Sequence, residues 1–216
     1  MANRTVHHGD GVAHLRAASL GEDVAIVTSL PDSSELPRLD FLGWREWFSD
    51  VARLACAVVH ETAPVLFFQT DVKRDGVWVD KAYLVQAGAD RAGSALLFHK
   101  IVCRAPAGTT TFGRPAYAHL LGFSRALRLA PSQSSADVLP TLGKMPWPRA
   151  MGVDACRATC RFLLEHTRCR TVLDPFCGIG TLLAVANAHG LDAIGVELSR
   201  KRAEKARALE LPESAG

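Results

Sequence analysis

The sequence predicts an α/β fold built on a mainly parallel sheet. Three observations carry that reading. Short apolar runs alternate with amphipathic stretches along the chain. In RTVLDPFCGIGTLLAVANAHG (170–190), a strand, a glycine-rich turn and a helix follow one another directly. Two long apolar runs, 95–104 and 117–124, are joined by a loop too short for a crossover helix, so they pair antiparallel. The expectation is a seven-stranded sheet, mostly parallel with one antiparallel strand.

The elements follow in order. Strands are expected in NRTVH (3–7), DVAIVTS (23–29), PVLFFQT (64–70), ALLFHKIVCR (95–104), YAHLLGFS (117–124), RTVLD (170–174) and DAIGVE (192–197). Helices are expected near 11–19, 43–60, 79–91, 152–167, 180–189 and 199–210. In the second of these, Trp44, Trp47, Phe48, Val51, Leu54, Ala55 and Val58 recur in steps of three and four, which makes one buried face. Segments 105–115 and 130–150 are loop-like, rich in Pro, Gly, Ser and Thr.

With 216 residues the chain suits a single domain, 1–216, in three parts: 1–125, a linker loop at 126–150, and 151–216. No apolar run approaches the ~20 residues of a membrane span. The polar start MANRTVHHGDG lacks a signal-peptide core, so a cytoplasmic location is expected. Six cysteines lie without CxxC spacing. They read as buried free thiols rather than a zinc site, although Cys156 and Cys160 lie one helical turn apart, and no metal is expected. Net charge is +3, but residues 100–170 carry 11 Lys/Arg against 3 Asp/Glu. That basic middle points to a polyanionic partner, nucleic acid, over a merely solvated face.

The glycine-rich turn is the sharpest motif. Gly178 and Gly180 let the backbone pass close to a ligand, and the following helix offers unpaired N–H groups to an anion. Asp174 ends the first strand and suits an amino group. Glu197 ends the next, 23 residues on, and suits two ribose hydroxyls. Leu183 stands where a nicotinamide-type GxGxxG turn has its third glycine.

DPFCGIGTLL followed by IGVELSRKRAEKAR resembles motifs I and II of class I S-adenosylmethionine-dependent methyltransferases that modify nucleic-acid amino groups. The resemblance implies a Rossmann-like class I sheet with S-adenosyl-L-methionine as cofactor. It implies cofactor contacts at Asp174, Pro175, Phe176, Cys177, Gly178, Gly180, Thr181 and Glu197, with Thr28 and Asp10 completing the set. The cofactor strand comes late in this chain. TVHHGDGVAHL resembles motif III, DVAIVTSLPD motif IV, and KMPWPRAMGVDACRATCRFLLEH motif X. That is the circularly permuted order of the β-class DNA and RNA amino-methyltransferases. It makes 1–125 the catalytic half and 151–216 the cofactor half.

Methylating an exocyclic amine needs two acceptors near its protons. The resemblance supplies them from the tetrad Ser29-Leu30-Pro31-Asp32: the Ser29 oxygen and the Leu30 carbonyl. Leu30 replaces a proline and Asp32 replaces the aromatic that stacks on the target base. Asp32 would then bind a polar base edge or take up a proton, with Trp44 or Trp47 either stacking or serving the core. His7 and His8 read equally as pocket or surface residues, and His99-Lys100 as contact or structural residues. Lys100, Arg104, Arg114, Arg125, Arg128 and Arg149 are the expected nucleic-acid contacts. Only about twenty residues, 126–147, lie where a DNA recognition region would be. RNA is therefore expected over DNA, with a minimal DNA enzyme and a non-catalytic partner subunit as the alternatives. A homodimer or an activating partner would extend the small recognition surface.

Overall fold

The computed structural model describes residues 2–211. Its main sheet holds the seven expected strands: β1 (Arg4–His8), β2 (Val24–Thr28), β3 (Val65–Gln69), β6 (Ala95–Cys103), β7 (Tyr117–Ser124), β9 (Thr171–Asp174) and β10 (Asp192–Glu197). An eighth, two-residue strand, β8 (Val138–Leu139), extends the β6 edge. It lies inside the segment expected to be loop. The order across the sheet is β1-β10-β9-β2-β3-β7-β6-β8. β7 runs antiparallel to both β3 and β6, and the other pairs are parallel, so one strand is reversed. β2 and β3 are flanked on both sides and for that reason are apolar up to their last residues, Thr28 and Gln69.

A second departure from expectation is the hairpin β4 (Val72–Arg74) and β5 (Val77–Val79). Asp75 (φ 50°) and Gly76 (φ 77°) are both left-handed, the backbone of a tight two-residue hairpin turn. VKRDGVWV carried that signal in its Asp-Gly pair between apolar residues. The six helices lie close to their expected places: α1 (Gly11–Ala17), α2 (Phe41–Val58), α3 (Lys81–Arg91), α4 (Val153–His166), α5 (Thr181–Ala188) and α6 (Arg200–Ala208). Asp10, Asp40 and Asp80 cap α1, α2 and α3 by accepting backbone N–H bonds.

α2 packs on α3 and α1, α4 packs on α5, and α6 lies against β1 and β10. The core between helices and sheet is built on Trp44, Phe48, Ile26, Phe67, Phe123, Leu173 and Leu183, all fully buried. All six cysteines are free thiols, five of them buried. Among the described residues, no helix is long and apolar enough to cross a membrane.

The topology fixes where a site can form. From β9 the chain steps outward to β10, while β2 leads the other way to β3. Loops leaving β9 and β2 therefore diverge at their carboxyl ends, and a crevice opens between them. Thr28 and Asp174 end these two strands and are joined there: the Thr28 hydroxyl donates to Asp174 Oδ1 at 2.7 Å.

Candidate active site

One cavity of about 250 Å³ occupies this crevice. The glycine turn and the ends of β9 and β10 form one wall, and the segment after β2 forms the other. Asp174, Phe176, Cys177, Gly178, Thr181 and Glu197 line the first wall, with Asp10 at its edge. Ser29, Leu30, Pro31 and Asp32 line the second.

The first wall is held mainly by backbone. Cys177 N–H donates to the Val196 carbonyl and Gly180 N–H to the Cys177 carbonyl. Gly178 and Gly180 have φ of 56° and 80°, conformations that favour glycine. A Cβ at Gly180 would meet Ala206, and one at Gly11 would lie 2.0 Å from the Pro175 oxygen. Pro175 therefore acts through its carbonyl, pressed against the start of α1, and Gly180 through packing; neither lines the cavity. Thr28 is fully buried behind the wall and reaches the cavity only through Asp174.

Asp174 is buried and also accepts from Phe176 N–H at 3.1 Å. Burial pushes its carboxyl up to about 7, against the downward pull of the Thr28 and Phe176 bonds. Glu197 is buried as well. Its Oε1 accepts from Ser199 N–H at 2.7 Å and from Arg202 Nε at 2.9 Å. No bond from a described residue falls on Oε2. Asp10 uses Oδ1 to cap α1, accepting from Val12 and Ala13 N–H. The Thr181 hydroxyl, first in α5, is buried with no hydrogen-bond partner. Burial also raises the Cys177 thiol, which stays protonated and apolar in character.

The second wall is held by side chains from distant segments. Trp44 Nε1 donates to the Pro31 carbonyl at 3.1 Å, and Glu35 Oε1 accepts from Asp32 N–H at 3.2 Å. Asp32 Oδ1 is paired with the Lys81 ammonium, and Oδ2 with Arg114 at 3.1 Å. Lys81 is 3 % exposed; burial lowers its pKa, and the Asp32 charge pulls it back up. Arg149 pairs with Glu35 at 2.9 Å and ties the 147–151 loop to this wall. Arg104 also lines the cavity, its pKa lowered by burial and then by Arg114.

Several sequence expectations are corrected here. With both carboxylate oxygens engaged by cations, Asp32 is not a free proton acceptor. Trp44 is fully buried and belongs to the core, whereas Trp47 lines the cavity with its ring 6.1 Å from Phe176. Lys100 is buried and donates to the Ser135 and Ala136 carbonyls, so it braces the 130–140 segment. Arg125 is half-buried and donates to the Val59 carbonyl; Arg128 is exposed but spends Nη1 on its own turn. None of these three lines the cavity, while Arg104, Arg114 and Arg149 do. His7 and His8 are on the surface, outside the cavity lining.

The sequence reading missed Lys81, Gln69, Trp147 and Arg202, all of which line the cavity. Lys81 had a faint signal, a lysine just after a helix-capping aspartate. His99 bonds His119 at 2.8 Å, His119 bonds Asp71 at 3.0 Å, and Asp71 accepts from Lys81 N–H at 2.8 Å. The His99 side chain thus buttresses the start of α3, which carries Lys81.

No family model matches the chain, and no curated protein matches it. Solved structures do. The cytosine-N4-specific PvuII DNA methyltransferase aligns with a TM-score of 0.75 at 14% identity, over 100% of this chain and 89% of that one. TTHA0409 of Thermus thermophilus, provisionally named a DNA modification methylase, aligns at 0.73 and 18% identity, over 95% and 93%. It has also been solved complexed with S-adenosyl-L-methionine. The M1.HpyAVI–SAM complex aligns at 0.63 and 14% identity, over 95% and 98%. At these identities the likeness is one of fold, and the fold is the α/β one predicted.

Proposed function

We infer that this chain is an S-adenosylmethionine-dependent methyltransferase acting on an exocyclic amino group of a nucleobase. One observation carries the reading: a single cavity joins the DPFCGIG wall to the Ser29–Asp32 wall, and the residues that join the two at its base, Thr28 and Asp174, are 146 positions apart in the chain. The strand order supports it too. β9 and β10 come last in the chain but sit inside the sheet beside β1 and β2, the arrangement a circular permutation of this fold gives. On this reading residues 1–125 form the catalytic half, 151–216 the cofactor half, and 126–150 the connection.

The residues present fit the cofactor. Asp174 is positioned for its ammonium, and the free Glu197 oxygen for ribose hydroxyls. The unpartnered Thr181 hydroxyl and the α5 N–H groups suit its carboxylate. Gly178 has no atom within 4 Å of where a Cβ would sit, so a side chain there would point into open space. When bound, the cofactor supplies an electrophilic methyl group on a sulfonium.

The chain's own part is placement. The Ser29 hydroxyl oxygen and the Leu30 carbonyl accept hydrogen bonds from the two amine N–H groups and turn the nitrogen lone pair towards the methyl donor; the proton the nitrogen loses after methylation passes to water. Lys81 and Arg114 hold Asp32, and through it the turn that carries both acceptors. Trp47 supplies an aromatic wall, taking over from the residue that Asp32 replaces.

Two of the similar structures, PvuII and TTHA0409, carry DNA methylase names, which favours DNA. The short 126–147 segment does not separate RNA from DNA, because the chain spans 93% of TTHA0409, which carries a DNA methylase name at a similar length. RNA remains the second reading, on the basic residues at the cavity mouth alone. Tritium transfer from labelled cofactor to genomic DNA and to total RNA, with nucleoside mass spectrometry, tests both. Label in an N-methylated base of DNA is the expected outcome. Label confined to RNA would reverse the preference, and none in either would refute the activity.

A further inference from the structure

Gln69 is the last residue of β3, 1 % exposed, and lines the cavity. Its Nε2 has no hydrogen-bond partner. A buried amide left unpaired costs stability, so such a group calls for a partner that arrives from outside. Two other buried side-chain atoms of the described residues are unpartnered: Thr181 Oγ1, on the glycine-turn wall, and Arg125 Nε, away from the cavity. Gln69 stands on the opposite wall from Thr181. β3 is the parallel neighbour of β2, with Thr28 opposite Phe67. Gln69 lies two residues beyond that pair on its strand, as Leu30 does beyond Thr28.

We propose that Gln69 is a specificity-determining residue whose amide N–H reads the ring nitrogen next to the amino group of the target base. The proposal rests on the reading above and names the substrate class more closely. The β2 side offers acceptors, Ser29 Oγ and the Leu30 carbonyl, and the β3 side offers a donor. The complementary edge is an amidine: an –NH2 beside a ring nitrogen with a free lone pair, as in cytosine and adenine. Uracil and thymine fail on both sides, since they present a carbonyl to the acceptors and an N–H to the donor.

The test uses the full chain and single-stranded oligonucleotides carrying cytosine, 3-deazacytosine, adenine or 1-deazaadenine, with Gln69→Met as the variant. Removing the ring nitrogen should lower kcat/KM of the wild type about 10- to 100-fold. Gln69→Met should lose a similar factor on the natural base and nothing further on the deaza analogue, the mark of a direct pair. It should bind S-adenosylmethionine as before. Because an unpaired amide is exchanged for a near-isosteric apolar group, its Tm should rise by about 2–4 °C. A lower Tm would mean the amide serves the fold, and an unchanged kcat/KM would mean it reads nothing; either overturns the proposal. Wild-type protein that methylates none of the four refutes the assigned activity and this proposal with it. Methylation that survives intact in Gln69→Met refutes the proposal alone.

Discussion

The two walls of the cavity are built by opposite means. The glycine-turn wall is centred on one continuous turn, fixed by backbone bonds and by glycine conformations at Gly178 and Gly180. The Ser29–Asp32 wall is a convergence of side chains, with Lys81, Arg114 and, through Glu35, Arg149 closing on one turn. A wall made of backbone tolerates most side-chain changes and fails at a few positions. A wall made of ion pairs distributes its fragility over every partner.

The comparison can be broken most sharply on the first wall. Asp174→Ala should weaken S-adenosylmethionine binding on the order of 100-fold by calorimetry, since it removes the buried carboxylate proposed to meet the cofactor's ammonium. The next effect belongs to the second wall. Lys81→Met leaves Asp32 with Arg114 alone, and should cost about 3 kcal/mol of stability in denaturant titration. Asp32→Leu combined with Lys81→Met should recover most of it, because the stranded charge is gone. If the single variant is as stable as the wild type, the convergence is ornamental.

Ser29→Ala comes third, with kcat lowered about 10- to 100-fold and cofactor affinity unchanged. Unchanged kcat would remove Ser29 from the catalytic set. The smallest expected effect is on pH. Asp174 is raised from 3.8 to about 7, so its carboxyl is neutral below that value and charged above it. An ammonium ligand prefers the charged form. Affinity should therefore rise with pH and level off above about 7, being about tenfold weaker one pH unit lower. The protein without ligand should show the opposite trend. Its native state holds a proton that the unfolded chain gives up at 3.8, so stability falls as pH rises from about 4 to about 7. A flat binding profile would show that Asp174 is already ionised in the folded protein.

The same contrast explains what could be read from the sequence. The seven strands and six helices were legible because each is a local apolar run or a local helical repeat, and the glycine turn because its chemistry is contiguous. The β4–β5 hairpin was missed although its Asp75-Gly76 pair announced it; its strands are only three residues each. Lys81 carried only a faint signal because its meaning lies in Asp32, 49 residues away. Lys100 and Arg125 were misread for the complementary reason. A basic stretch looks like a surface, yet backbone carbonyls of neighbouring segments consume these two cations. Trp44 and Trp47 share one apolar face in sequence, yet Trp44 is fully buried in the core and Trp47 lines the cavity.

The place of β1 has a consequence for how the molecule is made. Of the described strands β1 is made first, and its one neighbour in the sheet is β10, made last. β2 likewise waits for β9 on one side. During synthesis β1 therefore has no partner until β10 follows. The crevice cannot close until β9 and β10 have emerged, and so the earliest of these strands is among the last to find its partner.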